Sequence, residues 1–174
     1  MKKHIALTGF MAAGKSTIGK KLARKLGVSF YDIDEVVVER HGAISDIFYA
    51  QGEKRFREYE HDAIAHVVDE EPAGIIALGG GAVTHDDTLK LLKKRTYRVF
   101  VKVPPEQILG RLRRSKTVRP LLGPTPSLAK IRELYSKRMP RYAHADLVVE
   151  AQDLTTSQVV DQIIDWLHRK KIEL

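Results

Sequence analysis

The chain has no cysteine among its 174 residues, which excludes disulfides and thiolate metal sites and suits a reducing compartment. Aromatics are scarce as well, at 7% with a single Trp, and they are not interleaved with the basic residues as a base-stacking surface requires. No segment approaches the ~20 apolar residues of a membrane span. The apolar run after Lys2 and Lys3 is broken at Gly9, too short for a signal peptide. A soluble cytoplasmic protein with no membrane partner is the expectation, and a monomer. Repeats and low-complexity tracts are also lacking. Positive charge is abundant: the net charge is +8 and the isoelectric point near 9.7. Charge of that size would suit nucleic acid. It is equally what a protein that handles small polyanions needs locally, so no nucleic-acid partner is expected.

The segment Gly9, Phe10, Met11, Ala12, Ala13, Gly14, Lys15, Ser16 is a complete G-x-x-x-x-G-K-[ST] pattern. It stands between the apolar run Ile5 to Leu7 and a helical pattern from Thr17 to Leu26, the setting in which backbone N–H groups wrap a polyphosphate. Gly9 and Gly14 supply permissive dihedrals and close approach. The helix that follows aims its positive end at the anion. In this reading Ala12, Ala13, Gly14, Lys15, Ser16 and Thr17 bind ATP, with Lys15 reaching the β- and γ-phosphates and the Ser16 hydroxyl ligating Mg²⁺, which prefers oxygen.

Short apolar strands are expected at 4–8, Ser29–Ile33, Gly74–Leu78, Arg98–Val103 and Leu147–Glu150. Helices are expected at Thr17–Leu26, Glu53–Val68, His85–Lys93 after the N-cap Thr84, Pro105–Arg113, Leu128–Arg138 after the N-cap Ser127, and Ser157–Lys171. In the last helix Val159, Val160, Ile163, Ile164 and Leu167 form a core stripe, with Trp166 packed beside it. This alternation predicts a single α/β domain over 1–174, a three-layer α/β/α sandwich on a five-stranded parallel sheet. Two insertions interrupt it. Roughly forty residues separate the second and third strands, more than a crossover helix requires, and predict a substrate-binding insertion at about 33–61. A stretch at about 112–126, rich in cations and holding Pro120, Gly123, Pro124 and Pro126, predicts a mobile lid. Its arginine is expected to stand away from the P-loop until ligands bind.

Candidate chemistry lies at strand ends, where open parallel sheets bind ligands. Asp32 and Asp34 leave the second strand two residues apart, so both carboxylates project to one side while Ile33 packs. One carboxylate could hold a Mg²⁺ water and the other meet a substrate hydroxyl, or Asp34 could simply cap a helix beginning at Glu35. Arg57 and Glu60 share a helix face at i, i+3, an arrangement that suits either an arginine fork oriented for a carboxylate or a solvated ion pair. Gly79, Gly80 and Gly81 make sense where a ligand lies against backbone, although a flexible turn would look the same. Among Arg111, Arg113, Arg114, Lys116 and Arg119, one cation could neutralise charge on a transferring phosphoryl group, and the others form a solvated basic face. Arg138 could be a second anion fork or a cation that compensates a helix C-terminus.

In this order and spacing, the P-loop with Lys15 and Ser16, Asp32-Ile33-Asp34, Gly52-Glu53 leading to Phe56-Arg57 and Glu60, Gly79 to Gly81, Arg119-Pro120-Leu121-Leu122, and Arg138 two before Pro140 resemble the shikimate kinase family. These are small P-loop kinases of the nucleoside monophosphate kinase type, and the resemblance covers nearly the whole chain. It implies transfer of the ATP γ-phosphoryl group to the 3-hydroxyl of shikimate, in chorismate and aromatic amino acid biosynthesis. Gluconate kinase is the alternative within the same fold. By the resemblance Asp34 contacts the ring hydroxyls and receives the proton, and Arg57 and Arg138 clamp the carboxylate with the Gly79–Gly81 backbone alongside. Ser16 and Asp32 serve Mg²⁺, while Lys15 and Arg119 bridge the phosphates. Where family members often carry an arginine bordering adenine, this chain has Gln152, Asp153 and Leu154. The adenine-stacking arginine is open among Arg111, Arg113 and Arg114.

Overall fold

A computed structural model describes residues 2–115, 117 and 119–174; Lys116 and Val118, within the expected lid, lie outside the described residues. Five strands, β1 (His4–Thr8), β2 (Ser29–Asp32), β3 (Gly74–Ala77), β4 (Thr96–Lys102) and β5 (Leu147–Glu150), form one parallel sheet in the order β2-β3-β1-β4-β5. Helices α1 (Lys15–Leu26), α2 (Ile33–His41), α3 (Ile44–Glu70), α4 (Asp86–Arg95), α5 (Pro105–Arg114), α6 (Leu128–Tyr142) and α7 (Thr156–Lys170) flank it. The α/β expectation holds, with helices on both sides of the sheet. Among the described residues no helix is long and apolar enough to cross a membrane.

The sheet is built from runs buried on both faces: Ile5, Ala6 and Leu7 in β1, Ile75 and Ile76 in β3, and Val99, Phe100 and Val101 in β4. Strands with helices on either side must be apolar at successive positions rather than alternate ones. In α7, Val159, Val160, Ile163 and Leu167 are buried, and each contributes about 1.5–3 kcal/mol relative to exposure. Trp166 joins them, edge-on to Tyr97 with ring centroids 6.3 Å apart. The chain order 1-2-3 becomes the spatial order 2-3-1, so the loop after β3 lies between the loops after β1 and β2. That places the glycine triplet between the P-loop and the two aspartates.

Several boundaries differ from expectation for local reasons. Strand β2 ends at Asp32, whose carboxylate accepts from the Asp34 N–H at 3.1 Å and starts α2 two residues before the Glu35 start that an Asp34 cap would give. Asp32 is therefore the cap, and Asp34 sits in the first helical turn rather than on the strand. Helix α3 begins at Ile44, and at Gly52 it breaks with φ 82° and ψ 170°. Thr84 closes a 3-10 turn over Ala82–Thr84, and His85 caps α4 by accepting from the Thr88 N–H. Helix α6 continues through Pro140 to Tyr142, so Arg138 is interior and does not compensate a helix end.

His4 is buried at the start of the central strand β1, the opposite end of the sheet from these loops, beside the backbone of Val68 and Gly74. Burial lowers its pKa below 6.5, with Lys3 adding to the effect. The unfolded chain therefore binds this proton more readily than the folded one, and stability falls as pH drops below about 6.5, by up to ~1.4 kcal/mol per pH unit from this group. Thermal midpoints between pH 5 and 8 should show that acid limb, and His4→Phe should flatten it. An unchanged slope in the variant would remove His4 as its source.

Candidate active site

Three hollows meet at the C-terminal edge of the sheet. The P-loop hollow, about 180 Å³, is lined by Gly14, Lys15, Ser16, Thr17, Asp32 and Asp34. Gly9 and Gly14 take φ of 150° and 93°, as their role in the loop requires, and Ala12 is held at φ 60°, a left-handed conformation that costs energy outside glycine. Lys15 is buried, and its ammonium donates to the Gly9 and Phe10 carbonyls at 2.8 and 2.9 Å. Burial brings its pKa down to about 8, against support from Asp34.

Ser16 Oγ donates to Asp32 Oδ2 at 2.5 Å. This pairs a hydroxyl and a carboxylate, the hard oxygen donors that suit Mg²⁺. Among the described residues no cluster of three or more acidic, His or Cys side chains could hold a metal unaided. That donor set fits an ion completed by phosphate oxygens and water rather than one caged by protein.

The second hollow, a cleft of about 450 Å³, opens beside the first and shares Met11, Asp34, Gly79, Gly80 and Arg119 with it. Its polar end gathers Asp34, Arg57, Glu60 and Arg138, and its apolar wall Ile44, Phe48 and Phe56. Arg57 Nη1 donates to Glu60 Oε2 at 2.7 Å, while Nη2 and Nε reach Glu53 Oε1 at 3.2 and 3.4 Å. With Arg57 8% and Glu60 1% exposed, this is a buried pair and not a solvated one. Desolvation works against both charges. For Arg57 the partner glutamates outweigh it and the pKa rises; for Glu60 burial wins over Arg57 and its pKa rises too.

Among the described residues, four buried polar atoms around this cleft have no hydrogen-bond partner: Asp34 Oδ1, Glu60 Oε1, Arg119 Nε and Arg138 Nη1. Buried polar groups are otherwise almost always paired, so a cleft that leaves two carboxylate acceptors and two guanidinium donors unpaired is shaped for a ligand carrying their complements. Burial, and then the Asp32 charge, raise the pKa of Asp34 against the pull of Lys15, Arg119 and Arg57. A carboxylate so placed has an increased appetite for a proton.

The glycines serve space rather than unusual dihedrals. Gly79, Gly80 and Gly81 have no positive φ. A Cβ on Gly80 would stand 2.9 Å from the Met11 nitrogen and 3.3 Å from Arg138 Nη1, and one on Gly79 or Gly81 would collide with the Glu60 carboxylate or the Arg57 guanidinium. The triplet lets the buried ion pair and the P-loop approach the backbone after β3.

Arg119 lines both hollows and so stands beside the P-loop. Its carbonyl accepts from the Leu122 and Gly123 N–H groups at 3.0 and 3.1 Å, and Leu122 is buried in the core, which anchors this part of the expected lid. A third hollow of about 210 Å³ lies on the other side of the P-loop, lined by Thr17, Arg111, Leu154 and Thr156 among others. Of the three arginines left open, Arg111 reaches the loop, with Nη1 donating to the Ala12 carbonyl at 3.0 Å; Arg113 and Arg114 are exposed. Gln152 is exposed and lies outside this hollow.

The candidate residues Lys15, Ser16, Asp32, Asp34, Arg57, Gly79, Gly80, Gly81, Arg119 and Arg138 thus stand around two adjoining hollows. The sequence reading overlooked Ile44 and Phe48, although their i, i+4 spacing in the insertion was an available sign of a helix face.

The family described as Shikimate kinase matches residues 11–168. The chain belongs to the shikimate kinase family. It is 40% identical over 168 residues to the shikimate kinase of Thermodesulfovibrio yellowstonii, covering 96% of each chain. Among solved shikimate kinases, the one from Acinetobacter baumannii in complex with shikimate superposes with a TM-score of 0.91 at 33% identity, covering 99% of this chain and 97% of that one. The Aquifex aeolicus enzyme gives 0.83 at 35%, covering 97% and 98%. Shikimate kinase membership accounts for a P-loop beside a cleft for a second, smaller ligand.

Proposed function

We propose that this protein transfers the γ-phosphoryl group of MgATP to the 3-hydroxyl of shikimate, giving shikimate 3-phosphate and ADP. The observation that carries the reading is the cleft's pattern of unpaired atoms: an acceptor on Asp34 beside the P-loop hollow, and guanidinium groups aimed into the same space. A small polyhydroxylated acid has both complements, hydroxyls to donate to Asp34 and a carboxylate for Arg57 and Arg138. A planar fork suits that carboxylate better than a lysine point charge does.

In this reading the hydroxyl oxygen attacks the γ-phosphorus, the bond to the bridging oxygen of ADP breaks, and the hydroxyl proton passes to Asp34. Because phosphoryl transfer is largely dissociative, Asp34 first orients the hydroxyl and then takes its proton as transfer completes. Lys15 moves from the Gly9 and Phe10 carbonyls to the phosphates, where it and Arg119 balance the charge that spreads over the transferring oxygens. Ser16 and Asp32 would hold Mg²⁺, which supplies neutralisation of the β- and γ-phosphate oxygens. Adenine is assigned to the hollow beside Arg111 and Leu154. The lid, the substrate-binding insertion, cytoplasmic location, action as a monomer and the lack of a nucleic-acid partner belong to the same proposal.

The test is ADP release with MgATP and shikimate, run beside gluconate and nucleoside monophosphates. Turnover is expected with shikimate alone, and Asp34→Asn, which keeps the shape and loses the proton acceptor, should lower kcat about 10²- to 10⁴-fold. Turnover with another acceptor in place of shikimate would overturn the substrate, and full activity in Asp34→Asn would overturn its role.

A further inference from the structure

We propose that Tyr142 is a positioning residue for the acidic substrate: its hydroxyl holds the Gly80 carbonyl and so fixes the glycine turn and the Arg138 guanidinium relative to each other. This rests on the reading that the cleft takes a carboxylate. Arg138 and Tyr142 are four residues apart on α6 and share a face. Arg57 is held from behind by Glu53 and Glu60, whereas Arg138 Nη1 has no hydrogen-bond partner among the described residues. Arg138 instead lies over the Phe10 ring, 5.5 Å from its centroid. Its placement depends on how firmly α6 is seated.

The end of α6 needs an anchor from outside the helix. Pro140, between the two residues, has no N–H and breaks the helix's own hydrogen-bond ladder there. Tyr142 provides the anchor: it is 1% exposed, its ring stacks on Phe100 of β4 with centroids 4.9 Å apart, and its hydroxyl donates to the Gly80 carbonyl. Burial pushes its phenol up to about 12 against the pull of the Arg138 guanidinium beside it, so the hydroxyl remains a donor at any working pH. In a trans peptide the C=O and the following N–H point opposite ways. Holding the Gly80 oxygen toward α6 therefore turns the Gly81 N–H away from it, in a segment that lines the cleft.

Tyr142→Phe removes the hydroxyl and keeps the stacked ring. The expected result is a KM for shikimate raised about five- to tenfold, the scale of one lost hydrogen bond, with the KM for MgATP within about twofold of wild type. Backbone amides of Gly81 and Ala82 should exchange faster. With the shikimate analogue in which CH₂OH replaces the carboxylate, wild type and variant should become alike, a convergence that general loosening of the fold would not produce. In the Arg138→Lys background the tyrosine change should add little, because both act on one contact. Equal rises in both KM values, no rise in either, or a penalty that persists with the uncharged analogue would each overturn the proposal. If wild type fails to use shikimate, the substrate reading falls, and unaltered exchange at Gly81 and Ala82 would separately overturn the anchor.

Discussion

Lys15→Ala should lower turnover by about 10³-fold while leaving the thermal midpoint near that of wild type. Removing one neutral donor from a developing oxyanion costs about 10² to 10³ in kcat, and Lys15 contributes a full charge in a recessed hollow, where screening by water is weak. The stability side follows from two opposed terms. The ammonium satisfies the Gly9 and Phe10 carbonyls, and losing it leaves them unpaired. It is also a buried cation whose pKa has fallen to about 8, with Arg119 and Arg138 adding repulsion, so its removal relieves a cost. Lys15→Arg restores charge but not the compact tetrahedral head that fits between those two carbonyls, and it should rescue little activity. Steady-state kinetics beside calorimetry would test this, and wild-type turnover in Lys15→Ala would remove the lysine from the chemistry.

The P-loop was legible because its constraint is local. Gly9 and Gly14 are needed for the backbone they permit, and a pattern of eight residues carries that need. The three central strands were legible because runs such as Ile75-Ile76 and Val99-Phe100-Val101, covered on both faces, must be apolar throughout, whereas the edge strands β2 and β5 stay partly exposed and carry a weaker signal. Helix α2 was legible only as an alternative beginning at Glu35, for the converse reason: it is short and amphipathic only weakly, and its actual cap, Asp32, reads from sequence as the end of a strand. Burial of charge was the least legible property. Arg57 with Glu60 is the same i, i+3 pair on a surface helix as under a cleft, and only the packing of the glycine triplet against it distinguishes the two. Arg138 was misplaced at a helix end because Pro140 looks like a stop. In the structure the helix runs past the proline to Tyr142, which bonds to another segment, a relation between residues 62 positions apart that no window along the chain contains.

Arg57→Ala should separate binding from folding in one residue. On the substrate side, truncating one partner of a desolvated, hydrogen-bonded charge pair costs about 2 to 5 kcal/mol, and the loss should fall on shikimate with the KM for MgATP nearly unchanged. On the folding side, Glu60 would be left buried without its cation, which costs about 3 to 5 kcal/mol when the carboxylate stays ionised. Because burial already raises the Glu60 pKa, removing Arg57 raises it further, and the stability penalty should shrink as pH falls and Glu60 takes up a proton. The double variant Arg57→Leu with Glu60→Leu removes both charges, so it should recover most of the lost stability but none of the lost affinity for shikimate. Calorimetric binding of each ligand and thermal midpoints at pH 5 and pH 8 would decide the matter. Equal losses for shikimate and MgATP would show that Arg57 supports the fold as a whole and not the carboxylate, and a double variant that regained shikimate binding would place the clamp on Arg138 alone.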